Sequence, residues 1–426
     1  MIKVIKNSRQ LILFCLLLTS SLTFSQTRGS TYTGQYKKSE PIELKRQSNI
    51  IIEGLEFDNS EGRSIVLWNC TNVTVRNCKF KNNFKDRSIY AYEGKNILVT
   101  NCYFENIHQG FVADKCLDNI KFVNNDVKNL VGNLYGGTKF ANAVSIIKSN
   151  GAGYSISYNA IENIPEESAP EDIINIYQSS GTASSPITIK GNWIRGGGPS
   201  PSGGGIMLAD GSGRYQVAED NILVNPGMYG IGVVGGQYNV IRNNKIYSKK
   251  LPHSGLAIQA ADYTPDVSGP AANIVVENNE FNYTNSRGLQ EPSWFQTEMR
   301  KVVKNWATST VYKPSLNEDI LPEVIINQVG NKNNGVHKKE NRPEESETPI
   351  TQVYTDSFNR IAIKYFASPI PHAYGELFTS TGQRLDALVL PRFNTVFPLR
   401  LTKGNYYVRI TYKDLNKTEI NKITIN

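Results

Sequence analysis

A short β-branched run, then Asn, then a bulky apolar residue: this pattern returns along the first two thirds of the chain. It reads Asn72-Val-Thr-Val-Arg-Asn-Cys-Lys-Phe80, then Asn96-Ile-Leu-Val-Thr-Asn-Cys-Tyr-Phe104, then Asn119-Ile-Lys-Phe-Val-Asn-Asn-Asp-Val127. Looser copies end at Phe57, Ile161, Ile194, Leu223, Ile246 and Phe281, so successive copies lie 23, 24, 23, 34, 33, 29, 23 and 35 residues apart. A base period near 23, lengthened in some copies only, is the mark of a solenoid. Alternation with period two inside each copy makes the units strands rather than helices.

A second strand precedes each copy, at 64–68, 88–92, 110–114, 174–177, 205–208, 230–234 and 255–259. A turn falls two residues before the bulky position, at Cys78, Cys102, Asn125, Asn159, Asn192, Asn221, Asn244 and Asn279. Six Asn stacked at one corner can bond one another and the turn backbone along the stack. On these features, over about residues 40–285, the chain resembles the right-handed parallel β-helix proteins of the pectate-lyase-like superfold. The resemblance implies an all-β, right-handed parallel β-helix of about nine coils. The coil register makes Cys78 and Cys102 a stacked pair rather than a disulfide, and sets Cys70 and Cys116 two coils apart.

Residues 1–25 have the form of a secretory signal: basic Lys3, Lys6 and Arg9, an apolar run at 11–18, and a cleavage site at Thr23-Phe24-Ser25. No other segment is suited to crossing a membrane. The formal charge of +8 dissolves once located. The leader holds three of the basic residues, the tail from Ile350 is +5, the linker is neutral, and 26–330 holds 29 basic and 29 acidic residues. The charge therefore gives no support for an acidic partner of the solenoid, nucleic acid or acidic polymer. The expected domains are the leader at 1–25, the capped β-helix at 26–330, a polar linker at 331–349, and a small β-sandwich at 350–426. The first coil is expected to be covered by 26–45. The last is expected to be covered by an amphipathic helix at 291–306, whose Trp294, Phe295, Met299, Val302, Val303 and Trp306 pack on the core.

The tail carries Val353-Tyr354, Phe358-Asn359, Gly375-Glu-Leu-Phe, Gly382-Gln-Arg, Leu401-Thr-Lys-Gly-Asn-Tyr-Tyr-Val-Arg-Ile410 and Lys422-Ile-Thr-Ile-Asn426. On these blocks it resembles the C-terminal sorting domain of the type IX secretion system. It departs in having Thr355-Asp356-Ser357 where that family has Pro-Asn-Pro. The resemblance implies secretion, or display at the cell surface, with the type IX machinery as a partner.

The large insertions at 128–142, 162–172, 196–204 and 248–254 all fall between a third strand and the next first strand, so they stack into a wall beside the first-strand sheet. A wall beside a flat sheet makes a groove suited to an extended polymer. Strand alternation puts Trp68, Tyr92, Asp114, Lys148, Tyr177, Ala209, Val234 and Gln259 in one outward row. The second row is Val66, Tyr90, Val112, Ile146, Asn175, Met207, Gly232 and Ala257. Substrate-binding candidates are Trp68, Tyr90, Tyr92, Lys139, Tyr177 and Gln259, although stacked aromatics also stabilise a sheet face. Catalytic candidates are Lys148, Arg195, His253 and Glu171. The resembled lyases abstract a proton beside a uronate carboxylate and need a basic residue and a positive charge or Ca²⁺. Lys148 could instead pair with Asp114.

Three readings stay open. The leading one is a polysaccharide lyase. A β-helix glycoside hydrolase would use Glu171, Asp172 and Asp210, which end a wall loop and a first strand one coil on. A non-catalytic glycan-binding or adhesin protein is the third. Glu166-Glu167 and Glu171-Asp172 equally suit a Ca²⁺-binding or solvated edge, so Ca²⁺ is a candidate cofactor; no His/Cys cluster has zinc spacing.

Overall fold

The computed structural model describes residues 28–326 apart from 59–60 and 264–268. In the tail it describes 351–355, 360–365, 373–380, 383–390, 395–397, 399, 401–412 and 417–425. The expected leader, the linker and Asp356 to Asn359 lie outside the described residues. The chain divides into two compact units, Met1–Asn333 and Asn334–Asn426.

The first unit is a parallel β-helix. Sheet 1, the groove sheet, has ten strands running from Ile42–Lys45 to Ser293–Phe295. Sheet 2 has ten, from Ser48–Glu53 to Val303–Lys304, and sheet 3 has eleven, from Lys37–Lys38 to Val311–Tyr312. Every pairing within these sheets is parallel, each strand bonding its counterpart one coil away. In sheet 3, for example, Phe57, Phe80, Phe104 and Val127 are successive partners. The inward residues make one continuous core, with Phe57 stacked on Phe80 and Phe80 on Phe104 at centroid distances of 5.1 and 4.7 Å.

The Asn corner accounts for most of the order. Asn125, Asn159, Asn192, Asn221, Asn244 and Asn279 are fully buried. From Asn125 to Asn244 each donates its side-chain amide to the side-chain oxygen of the next, at 2.9–3.2 Å. The same oxygen accepts the backbone N–H of the preceding Asn. Thus a buried polar side chain per coil is satisfied, and a turn N–H with it. A second ladder occupies the corner after sheet 1. There Ser149 Oγ accepts from the Cys116 N–H, and Ser179 Oγ accepts from the Ser149 N–H. Cys70, Cys78, Cys102 and Cys116 are buried free thiols at these corners, with Cys78 donating to the Arg76 carbonyl at 3.2 Å.

Two expectations about the ends change. Residues 291–306 do not form one helix. They complete a further irregular coil: strand Ser293–Phe295, a helical turn at Met299–Val302, strand Val303–Lys304 and a second turn at Trp306–Ser309. The last full coil presents unpaired backbone groups, and satisfying them by strand pairing outweighs a continuous helix. β-Branched Val302-Val303 favours that outcome, and Asn305 at φ 66° interrupts any helix. Met299, Val302, Val303 and Trp306 do pack on the core. At the other end, 37–45 supplies strands rather than a cover; with the irregular coil at 293–312 the coils number ten rather than nine. Residues 28–31 run outside coils three to six. Arg28 donates to the Gly191 carbonyl at 2.7 Å and lies over the Trp193 ring, Gly29 donates to the Tyr158 carbonyl, and Thr31 donates to Asn101 Oδ1. Asp126 is sealed against Gly29, and burial pushes its carboxyl up to about 8.

The tail unit has two antiparallel sheets. One joins Thr351–Thr355, Ile361–Tyr365 and Thr395–Val396. The other joins Arg384–Leu390, Ala373–Thr379, Gly404–Tyr412 and Lys417–Ile425. Ile361, Ile363, Leu377, Phe397, Val408 and Ile410 from both share one core.

Replacing Asn192 by Ala strands the Asn159 backbone N–H and removes one of the two bonds of the Asn159 side-chain amide, while keeping the coil's apolar packing. At about 1–3 kcal/mol for each buried group left unpaired, Asn192→Ala should lower unfolding free energy by about 2–4 kcal/mol, measured by urea titration. A loss under about 0.5 kcal/mol would show that the ladder is dispensable.

Candidate functional site

The wall is present. Loops 131–141, 163–173, 196–205 and 249–255 follow sheet 3 strands of successive or nearby coils and lead into sheet 1. The floor rows differ from simple alternation. One is Trp68, Tyr92, Asp114, Ile147, Tyr177 and Asp210; the other is Val66, Tyr90, Val112, Ser145, Asn175, Met207, Gly232, Gln259 and Trp294.

Three corrections follow. Lys148 is not in the floor. It is exposed on the turn after strand Asn142–Ile147, at φ 47°, in the position taken by Asn69, Glu93, Lys115 and Gln178 elsewhere. Asp114 instead accepts the Tyr90 hydroxyl at 3.0 Å. Gln259 moves to the Asn175 row. Ala209 gives way to Asp210, because Ala209 forms a β-bulge at φ 52° that slips the register by one residue. Buried Gln216 holds the bulge: its Oε1 accepts the Ala209 N–H at 2.8 Å, and its Nε2 donates to the Ser179 carbonyl.

The bulge completes a carboxyl pair. Asn175 Nδ2 donates to Asp172 Oδ2 at 3.0 Å and to Asp210 Oδ2 at 2.9 Å, so the two oxygens stand less than about 6 Å apart. Asp172, 8% exposed, also accepts from the Tyr229 hydroxyl and the Gly204 N–H. Burial pushes it up to about 7 against the pull of those donors, and the nearby Asp210 adds to the rise. Burial raises Asp210 as well, with Asn175 opposing. Both neighbouring carboxyls are thus held toward their protonated forms. Asp210, the less buried of the two, lies at the groove end of its strand beside Tyr177.

The remaining candidates fall in different places. Glu171 lies on the rim and accepts from Ser200 at 2.5 Å and Ser202 at 2.6 Å. Arg195 is on sheet 3, held by Glu162 at 3.0 Å and by the carbonyls of Pro322 and Glu323; it anchors the returning segment that contains Glu318–Ile320. His253 packs against Gly198, and burial lowers its pKa. Both line a cleft of about 840 Å³ whose lining includes no sheet 1 strand residue, so it is on the other flank of the wall. Lys139 is exposed in the wall, its ammonium 5.1 Å from the Phe140 ring centre. Trp68, Tyr90 and Tyr92 do cluster, with ring centres 5.1–6.3 Å apart, but Arg63 and Arg87 cover Tyr90. The acidic edge considered for Ca²⁺ is split up: Glu167 accepts from Asn129, Glu171 from the serines, and Asp172 faces Tyr229 and Asn175. Asn175 and Tyr229 were not identified as site residues. An outward Asn in the coil between two acids was the available signal; Tyr229 left none.

The family model described as "Right handed beta helix region" matches residues 15–164. No curated protein matches the chain in sequence. Solved structures similar in fold include a GH87 alpha-1,3-glucanase catalytic domain in complex with tetrasaccharides. Its identity is 12% and its TM-score 0.42, over 63% of this chain and 49% of that one, so the match takes in about half of that domain's length. A GH87 catalytic domain with nigerose gives 12% and 0.36, over 68% and 62%. DFA-IIIase from Arthrobacter chlorophenolicus A6 without its lid gives 10% and 0.35, over 67% and 70%. The likeness is one of fold. No helix among the described residues is long and apolar enough to cross a membrane.

Folding holds the Asp172 proton above its ordinary range. Its stabilising effect is therefore complete below about pH 4 and is lost as pH rises toward about 7. Asp172→Asn should flatten the dependence of unfolding free energy on pH across that window, measured by denaturant titration. A variant whose slope matches the parent would show that Asp172 is not the group responsible.

Proposed function

We propose that the protein is an exported, carbohydrate-active β-helix enzyme that hydrolyses glycosidic bonds of an extended glycan lying along sheet 1. The observation that carries this reading is the Asp172–Asp210 pair, joined through one Asn175 amide at the foot of a one-sided loop wall. Two neighbouring carboxyl groups, one protonated and one ionised, supply the acid and the negative charge that this chemistry needs.

Asp210 gives its proton to the glycosidic oxygen as the bond from that oxygen to the anomeric carbon breaks, the electron pair going to the leaving oxygen. Asp172, kept in place by Tyr229, Asn175 and Gly204, ionises only near pH 7, and from there it supplies negative charge against the positive charge developing on the sugar. Water then adds its oxygen to the anomeric carbon, and its proton returns to Asp210. β-Elimination fits less well. Lys148 stands exposed on a turn, and Arg195 is engaged by Glu162 and two carbonyls on another sheet.

Export is part of the proposal. The basic and apolar leader at 1–25 supports passage through the inner membrane. The antiparallel tail, with strands running to Ile425, supports sorting by the type IX machinery to the cell surface or the medium. Deleting 350–426 should then leave the protein within the envelope of its native host, scored by fractionation; undiminished release would remove the tail from this role.

The enzyme should release new reducing ends from one or more members of a glycan panel without the rising absorbance of unsaturated products. Asp210→Asn should slow release by about 10²–10⁴-fold, while Lys148→Ala should leave it unchanged. Unsaturated products would establish a lyase, and binding without cleavage would make the protein a glycan-binding one.

A further inference from the structure

Beyond the carboxyl pair, toward the C-terminal coils, the groove floor changes character. Met207 is the strand neighbour of Asn175, and Gly232 is the neighbour of Met207. The mature chain expected from the sequence contains three methionines, and two of them lie here. Each rests on a glycine. A Cβ on Gly232 would stand 3.1 Å from the Met207 Sδ and Cε, and one on Gly255 would stand 3.1 Å from the Met228 Sδ. The missing side chains let both thioethers lie low. Met207, Met228 and Leu256 share an apolar cluster with Tyr229, whose hydroxyl is bonded to Asp172. An apolar shelf therefore begins one strand away from the residue that joins the two carboxyls, about 4.8 Å.

Past Gly232 the same row reaches Gln259. This side chain is only 6% exposed. Its Nε2 donates to the Tyr263 hydroxyl at 3.0 Å, and its Oε1 has no partner. Tyr263 and Trp294, the next residue in the row, are both largely exposed rings beside it. A buried amide oxygen without a donor is costly, and a ligand N–H or O–H would relieve the cost. Shelf, acceptor and rings together span about two to three strand spacings, roughly 10–14 Å, which accommodates one or two sugar units.

We propose that this stretch is a subsite for an uncharged sugar unit carrying a methyl group, the methyl resting on Met207 and Met228 and an N–H or O–H of the same or the next unit donating to Gln259. The proposal rests on the groove being a glycan site. An ordinary hexose presents hydroxyls all round its rim and would lose hydrogen bonds to water over a thioether shelf without replacement. A methyl group loses nothing there, and the polarisable sulfurs adapt to its shape. Glu171, Asp172 and Asp210 beside the shelf oppose a uronate. The methyl has two chemical sources, an N-acetyl group or a 6-deoxy carbon.

The test uses the full mature chain carrying Asp210→Asn, so that binding is read without turnover. Titration calorimetry would compare oligomers of N-acetylglucosamine with oligomers of glucose, and oligomers of 6-deoxymannose with oligomers of mannose. In at least one pair the methyl-bearing member should bind about tenfold or more tightly, and the responding pair identifies the source. Met207→Gln combined with Met228→Gln should erase that ratio, while Met207→Leu retains it, and thermal melts confirm that each variant is folded. Equal affinities in both pairs, a preference for a uronate oligomer, or a ratio that survives the double Gln variant would overturn the proposal. Cleavage assays on the parent chain are scored separately. A methyl preference without cleavage of any glycan would sink the hydrolase reading and leave the subsite standing.

Discussion

The amide-to-amide bond at the corner between sheets 2 and 3 is the interaction on which the rest depends. A coil of this fold must turn a corner in its interior, where backbone N–H groups lose water. One Asn per coil satisfies the turn, its own amide and its neighbour's N–H together, and it can do so only if the next coil stacks in register. The parallel sheets, the aligned apolar stripe and the row order of the groove floor all inherit that register. At Cys78 and Cys102 a thiol replaces the amide and can donate only weakly, yet the coils hold there because Phe57, Phe80 and Phe104 stack just beside them.

A regular scaffold makes irregularity informative. The strands of sheet 1 keep their register until coil seven, where Ala209 takes a left-handed conformation that a non-glycine residue adopts at a cost. Gln216 is buried to hold it there. The distortion moves Asp210 into the row of Tyr177 and within reach of Asn175. Local strain is thus spent on placing one carboxyl group, and the wall loop that ends in Asp172 supplies the other.

Much of the fold was legible because its determinants are local and periodic. The Asn two residues before each bulky apolar residue announced the corner, and the lengthened spacings announced the wall. Parity was harder to read. Ile146-Ile147 offers two consecutive apolar residues, and alternation could not tell which one faces out; taking Ile146 as outward carried Lys148 into the floor. The bulge at Ala209 was invisible for a different reason, since nothing in Ala-Asp-Gly marks a left-handed Ala. Asp172 and Asp210 were visible as acids near the groove. Their bridge through Asn175 and the support from Tyr229, 57 residues from Asp172, are properties of stacked coils rather than of any stretch of chain. Arg195 looked like a groove cation because it adjoins a wall loop; its strand belongs to the sheet around the corner.

The segment Arg28 to Thr31 bears on the order in which such a molecule can assemble. Coils grow by neighbours: each needs only the one before it, some 23–35 residues away. Arg28 has its acceptor at Gly191 and its ring at Trp193, and Gly29 has its acceptor at Tyr158. None of these exists as a docking surface until the sixth coil has closed. This segment, which precedes the coils in sequence, is therefore seated late, after the coils beneath it are complete, and its loop is long enough to carry a substantial closure entropy. Stacking propagates from coil to coil, whereas this segment touches coils three to six at once.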